Sequence, residues 1–446
     1  MPGAADSVWT RLKNRGQQIL HRLPGGRFTR HVAILMTTSV ASQAIGLAAA
    51  PILTRLYSPG DFGLLGVYAS LLAFLAVVIS LRYEYAIPLP KRNEDAAALV
   101  LLALAMIPVS AALSGLAVWF FQEQIILWAG VPELAPYLWI LPVSVLPVGI
   151  YQILNFWGLR KQSFGAIART RLTQSVGCAG TQIALFPFGP IGLLLGHLFG
   201  RAAGIGTFAT MAVRQDGHTF RGVNLRDLVR VAARYRRFPQ VSCFSGLLST
   251  SAFQLPLLLL ATAYGPIVAG QFALVQRVIG WPMAILGRGV AQVYVAECAS
   301  MARTSPKSLR QLYLDSSRKL ALAAVLPMAF LVVFGPWLMP FVFGEKWADA
   351  GRYTQLLAPM AAVQLVFSPV GSTLNVLEKQ TWHLGSDVFR SGLVVASIGI
   401  PAYLGWTPVA VIASYAGSLL AGYAILWITQ LYAIDLHVNR ANGKID

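Results

Sequence analysis

From residue 31 to residue 433 the chain is a succession of apolar runs of about 20 residues, the length a helix needs to cross a bilayer, broken by short gaps rich in charge, proline or glycine. Hydrocarbon offers no water to an unpaired peptide group, so each run must close its own backbone hydrogen bonds as a helix. The windows fall at 31–54, 63–84, 96–121, 135–158, 170–188, 190–213, 239–263, 266–296, 319–343, 353–377, 386–405 and 407–433. They predict an all-α polytopic membrane protein of twelve transmembrane helices in two six-helix lobes. With 56% hydrophobic and only 12% charged residues, a soluble enzyme is excluded.

The gaps alternate in charge. One set carries Arg82, Lys91 and Arg92; Arg160, Lys161, Arg169 and Arg171; seven arginines from Arg214 to Arg237; and Arg303, Lys307, Arg310, Arg318 and Lys319. The other set, near 122–134, 189, 265 and 406, has no Lys or Arg, and the exceptions on that side are Arg55, Lys346 and Arg352. The positive-inside rule makes the basic side cytoplasmic and predicts that both termini lie there. This asymmetry accounts for most of the +18 formal charge, so no nucleic-acid partner is expected. Residues 1–30 are basic with scattered apolar positions and read as a cytoplasmic surface segment, not a signal peptide. Cys178, Cys243 and Cys298 lack metal-ligand spacing and read as small core residues, so neither a metal nor a cofactor is expected.

A duplication is visible. Leu53, Tyr57, Ser58, Pro59 and Gly63 after the first window are echoed by Leu260, Tyr264, Gly265, Pro266 and Gly270 after the seventh. Leu159 and Lys161-Gln162-Ser163-Phe164 are echoed by Leu377 and Lys379-Gln380-Thr381-Trp382. The halves are 31–213 and 239–433, with a basic linker at 214–238 and a tail at 434–446. Six is an even number of crossings, so both halves enter from the same side and their pseudo-axis runs along the membrane normal. Within the linker Arg226, Arg230, Arg234 and Arg237 recur at helical spacing opposite Leu225, Leu228, Val229 and Ala232. That pattern suits a helix lying on the anionic inner leaflet, the alternative being a solvated, topology-fixing linker. A second short basic helix is expected from Ser308 to Lys319.

Arg201, Arg277 and Arg288 sit inside apolar windows, whereas no Asp or Glu lies near the middle of one. Ionisable groups there are costly unless they face protein or water. A basic lumen suits an anionic, phosphate-bearing substrate. In the sixth window Gly192, Gly196, Gly200 and Gly204 recur every fourth residue, a stripe on which a neighbouring helix can approach closely. His197 and Arg201 form a parallel stripe about 100° round the helix, placed to face the interior. In the eighth window Gln276 and Arg277 lie near mid-membrane, Trp281-Pro282 marks a hinge, and Arg288 lies nearer the cytoplasm. Arg82 and Glu84 are placed to close the cytoplasmic face. Gln43, Gln152, Asn155, Gln254, Gln364 and Asn375 suit either sugar hydroxyls or helix-to-helix contacts.

The stretches Leu53-Thr54-Arg55-Leu56-Tyr57-Ser58-Pro59-Gly60-Asp61-Phe62-Gly63 and Leu81-Arg82-Tyr83-Glu84-Tyr85-Ala86-Ile87-Pro88-Leu89-Pro90 resemble the first two helices of bacterial polysaccharide flippases. Gly289-Val290-Ala291-Gln292-Val293-Tyr294 resembles their eighth helix, and the likeness runs from residue 31 onward. These flippases, of O-antigen and exopolysaccharide type, belong to the multidrug/oligosaccharidyl-lipid/polysaccharide exporter superfamily. The resemblance implies two lobes around a cationic cavity and transfer of undecaprenyl-diphosphate-linked oligosaccharides to the outer leaflet. It also implies the bilayer, a polysaccharide polymerase and chain-length machinery as partners. On this reading Arg201 and Arg277 hold the diphosphate, with Arg55 and Arg288 as outer and inner way-stations. Coupling to H+ or Na+ stays open, with His197 the mid-span group that titrates near neutral pH. Two other classes are weighed: a multidrug cation antiporter, which needs acids in its lumen, and a membrane glycan polymerase or ligase, which needs a sizeable external catalytic loop.

Overall fold

The computed structural model describes residues 27–441 except 305 and 378; for 27–36, 281–290 and some single positions only the backbone is described. The basic segment expected over 1–30 therefore lies almost wholly outside the described residues, as does the end of the tail. Every regular element among the described residues is helical. In chain order they are α1 (Arg27–Leu56), α2 (Pro59–Val78), α3 (Asn93–Ala129), α4 (Ile140–Arg160), α5 (Phe164–Ala184), α6 (Pro190–Ala202), α7 (Ile205–Arg221), α8 (Leu225–Arg234), α9 (Cys243–Thr304), α10 (Pro306–Phe343), α11 (Ala348–Val370), α12 (Gln380–Tyr403) and α13 (Pro408–Ala441). A short turn, Thr373–Val376, follows α11.

Each predicted window is helical. The sixth divides between α6 and α7, because Ala203 leaves the helix and Gly204 adopts φ 89°. The seventh and eighth share α9, whose direction changes at Gly265 (φ 80°, ψ −179°), a conformation open to glycine alone. The basic helix expected over 308–319 is not separate but forms the start of α10. The linker helix occupies only Leu225–Arg234, since α7 continues through Arg221.

Local chemistry fixes the ends. Before α2, the Ser58 side chain accepts from the Asp61 N–H (3.2 Å) and the Ser58 N–H donates to the Asp61 carboxylate (2.8 Å), a capping box with Pro59 as first helical residue. Asn224 and Asp227 cap α8 in the same way. Among the described residues, seven helical runs are apolar and long enough to cross a membrane by length and composition. Their outward faces carry uncovered Trp119, Leu326, Val333, Trp337 and Phe341, as expected of a surface solvated by lipid. The more polar α5 and α12 owe their composition to interior positions described below.

The two halves meet at the sparsely charged end, where the duplicated motifs touch each other. A Cβ on Gly63 would overlap the Pro266 carbonyl, and one on Gly270 would overlap the Pro59 carbonyl. The contact is reciprocal, backbone against backbone, and a side chain at either glycine would force the two backbones apart. It is reinforced by Lys346 Nζ donating to the Tyr57 carbonyl (2.7 Å), Trp347 Nε1 to the Thr54 carbonyl (3.1 Å) and Thr262 Oγ1 to the Trp128 carbonyl (2.6 Å). Trp347 is fully buried, edge-on to Phe62. The seam is shut at this end.

The arginine-rich end is built differently. Arg160 donates to the carbonyls of Ile87, Pro88, Pro90 and Arg92 and to Asn93 Oδ1, holding the turn into α3. Lys161 Nζ lies 2.6 Å from Asp216, which also accepts from Trp157 Nε1 (3.0 Å). The helix α8 docks on the first lobe through Arg230 to Asp95 (2.7 Å) and the Tyr83 hydroxyl to the Ala232 carbonyl (3.1 Å), leaving Leu225 and Val229 exposed. Leu81 and Arg82 both have positive φ, and the Arg82 guanidinium fills the space beside Gly246 across the seam. Glu84 is fully buried and accepts from Ser80.

Candidate substrate cavities

Three cavities that share lining residues lie in the interior, the third running between the other two. The first, of about 450 Å³, is enclosed by α1, α5, α6 and the second part of α9. Its shape follows from the glycine stripe. On Gly192 a Cβ would meet the Leu185 carbonyl, on Gly196 it would meet Gln182, and on Gly200 it would meet Cys178, so α6 lies directly on α5. The adjacent stripe, His197 and Arg201, is thereby turned onto the cavity, where Arg277 and Arg171 join it. The charges at this wall are three guanidiniums, and no Asp or Glu lines it among the described residues.

Second contacts orient these groups. Gln174 Nε2 donates to the Arg201 carbonyl (3.1 Å), and Arg171 donates to Ser39 Oγ (2.5 Å). His197 stands edge-on to Tyr68, whose hydroxyl bonds Ser144 Oγ (2.5 Å), and its Nδ1 has no hydrogen-bond partner. Arg201, Gln276 and Arg277 are all accessible, although α6 and α9 place them well inside the apolar belt; the cavities are what expose them. Guanidiniums facing such a space offer planar donor forks that remain charged when desolvated, the chemistry that grips phosphate oxygens.

The second cavity, about 370 Å³, belongs to the other lobe and lies between α9, α11, α12 and α13. The third, about 400 Å³, runs between α2, α4, α6 and α9 and shares His197 and Arg201 with the first and Gln254 with the second. Gln276 and Arg277 are neighbours in α9 that face different cavities, the second and the first.

The predicted residues are thus dispersed unevenly. Arg201, Arg277 and His197 come together, and Gln276 stands beside them facing the other lobe. Arg55 lies exposed at the closed end of α1, away from all three cavities, and only its carbonyl is engaged, by Lys346 (3.3 Å). The side chains of Arg288, Pro282 and Asn375 lie outside the described residues. The backbone through Pro282 is helical, and the described break in α9 is at Gly265. Gln43, Gln152, Gln254 and Gln364 line cavities, whereas Asn155 does not.

Two arginines escaped the sequence reading. Arg171, counted there with a cytoplasmic gap, lies two turns inside α5 and lines the first cavity. Arg390 lines the second cavity, 3.1 Å from Asp387 one turn earlier in α12. The signal was an Asp and an Arg three residues apart inside an apolar window. Asp387 stands at the start of its apolar window and lines none of the three cavities, whose walls carry no Asp or Glu among the described residues. Among the described residues no group of His, Cys, Asp or Glu could hold a metal ion, and the three cysteines are free.

An all-helical, twice-repeated membrane fold around a basic central cavity defines a class of polytopic carriers, and comparison with solved structures gives that fold members. The chain superposes on the lipid II flippase MurJ in an inward closed conformation with TM-score 0.70 at 11% identity, covering 91% of this chain and 90% of that one. An inward-facing multidrug resistance MATE family transporter of the MOP superfamily gives TM-score 0.58 at 14% identity, covering 92% and 96%. A MOP superfamily transporter from Pyrococcus furiosus, described by the reverse polarity of its binding pocket, gives 0.57 at 16% identity, covering 92% and 96%. No curated protein matches the sequence. The family described as polysaccharide biosynthesis protein matches residues 52–352, and the chain belongs to that family.

Proposed function

We propose that the chain is a flippase that carries undecaprenyl-diphosphate-linked oligosaccharide units from the inner to the outer leaflet of the bacterial inner membrane, for O-antigen or exopolysaccharide assembly. The observation that carries this reading is the first cavity, where Arg171, Arg201 and Arg277 converge without a lining acid. Arg201 and Arg277 grip the diphosphate, while the prenyl chain stays in the bilayer and only headgroup and sugar cross. Membership of a polysaccharide biosynthesis family and a fold shared with a lipid II flippase support the same reading.

The arginine-rich end is cytoplasmic on this view, with both termini inside, and the lobes 31–213 and 239–433 move about the seam, joined by the linker 214–238. The seam that is shut at the sparsely charged end faces the outside on this view. Outward movement of a doubly charged headgroup is favoured by roughly 2.3 kcal/mol per charge for each 100 mV of inside-negative potential, less whatever moves with bound arginines. A cation antiporter fits less well, because the acid near the cavities, Asp387, is paired with Arg390.

The test is leaflet-resolved detection of the lipid-linked glycan in cells carrying wild type or the Arg201→Ala, Arg277→Ala double variant at matched protein levels. Glycan held in the inner leaflet by the double variant is the expected result. Undiminished flipping would make those arginines structural and remove the basis of the proposal.

A further inference from the structure

We infer that the cavity of the second lobe is the glycan subsite, holding the uncharged sugars next to the diphosphate; this rests on the flippase reading above and deepens it. The first and second cavities differ in chemistry. The first presents three guanidiniums and no lining acid among the described residues. The second has one cation, Arg390, and that charge is already matched by Asp387 (3.1 Å). What remains on its wall is neutral and two-sided: the amides of Gln254, Gln276 and Gln364 and the phenols of Tyr415 and Tyr423. An amide or phenol both donates and accepts, as a sugar hydroxyl does, whereas a phosphate needs donors only. Arg390 also keeps a buried Nε–H without a partner, a donor left over after its ion pair.

Phe253 supplies the apolar half of the match. It lines this cavity, 54% exposed as a residue, with the Arg390 guanidinium 5.4 Å from its ring centroid. The C–H face of a pyranose packs on such a ring while its equatorial hydroxyls reach the amides. At about 370 Å³ the space is near the lower end of ligand pockets, enough for the sugars closest to the lipid and not for a long chain.

Position completes the argument. Gln276 directly precedes Arg277 in the chain but opens onto the other cavity, and Gln254 borders both the glycan cavity and the one containing Arg201. A diphosphate on Arg201 and Arg277 therefore delivers its first sugar to Gln254 and Gln276. The N-terminal lobe, with Arg277 reaching in from its neighbour, reads the lipid phosphate, and the C-terminal lobe reads the carbohydrate.

The experiment uses the full chain in lipid nanodiscs and two probes, undecaprenyl diphosphate and the lipid-linked glycan extracted from the membranes of the producing cell. Binding is measured for wild type, Gln364→Ala, Phe253→Ala and, as the control for the phosphate site, Arg201→Ala. The expected result is that Gln364→Ala and Phe253→Ala each weaken the glycolipid by about tenfold and leave undecaprenyl diphosphate within about twofold. Thermal melting confirms folding, and Gln364→Glu, which keeps the side-chain shape, gives the same split if the alanine variant melts early. If wild type holds both lipids with equal affinity, or the cavity variants weaken both alike, the glycan subsite is refuted and the phosphate site stands. If wild type binds neither probe, or Arg201→Ala changes neither, the flippase reading fails and takes the subsite with it.

Discussion

Adding one methyl group at Gly63 tests whether the seam at the sparsely charged end is a gate. Its Cβ would overlap the Pro266 carbonyl, a backbone atom that cannot swing aside as a side chain would. Overpacking of this kind costs about 1–3 kcal/mol. The cost falls only on the state in which the seam is shut, so Gly63→Ala should shift the equilibrium toward opening by about 5–150-fold. The chain carries its own reporter. Cys178 lines the first cavity, while Cys243 and Cys298 are buried and can be replaced by serine. A membrane-impermeant thiol reagent added to whole cells should label Cys178 faster in Gly63→Ala by a factor in that range. Gly270→Ala, which strikes the Pro59 carbonyl, should do the same, and the double variant should fall short of the product because the two contacts share one interface. Gly165→Ala, with open space around its Cβ, is the matched control. An unchanged labelling rate in folded Gly63→Ala and Gly270→Ala proteins would refute the gate.

Other outcomes follow from the arginine-rich end and the first cavity. Arg160→Ala removes the five side-chain bonds that Arg160 makes to the turn before α3 and should destabilise the purified protein by about 2–3 kcal/mol in thermal melts. Arg160→Lys should recover only a minor part, because an ammonium cannot reproduce a forked set of donors. Asp216→Ala leaves Lys161 and the Trp157 indole without their common acceptor and should cost about 3 kcal/mol, read by melting and by altered tryptophan fluorescence. If His197 carries a coupling proton, His197→Ala abolishes the acceleration of flipping by an imposed pH gradient; unaltered acceleration removes His197 from coupling.

The twelve crossings were legible because the bilayer demands a length and an apolar content that hydropathy reads directly. The facing of His197 and Arg201 was legible too, since a four-residue glycine period says which side of α6 must lie against a neighbour. Arg390 was hidden by its partner. An isolated arginine in an apolar window draws attention, whereas Asp387 and Arg390 together resemble the polar edge of a span. Arg171 was hidden by the boundary, because α5 begins earlier than the apolar run does. The division of chemistry between cavities could not be read at all, because each wall draws on helices far apart in the chain. The break in α9 at Gly265 was foreshadowed by the repeat, which placed Gly265 opposite Ser58, the cap of α2.

The reciprocal meeting of Pro59 and Gly63 with Pro266 and Gly270 has the geometry of an isologous dimer contact, a patch that recognises its own copy, sealed within one polypeptide. In an assembly of two identical chains, any substitution would alter both sides of such a patch and both cavities at once. Joining the halves separates those fates. Each lobe is free to take its own interior, one basic and one neutral, while the shared seam still requires the two copies to fit one another. Asymmetric cargo, charged at one end and sugar at the other, is what a fused pair can accommodate and a strictly symmetric pair cannot.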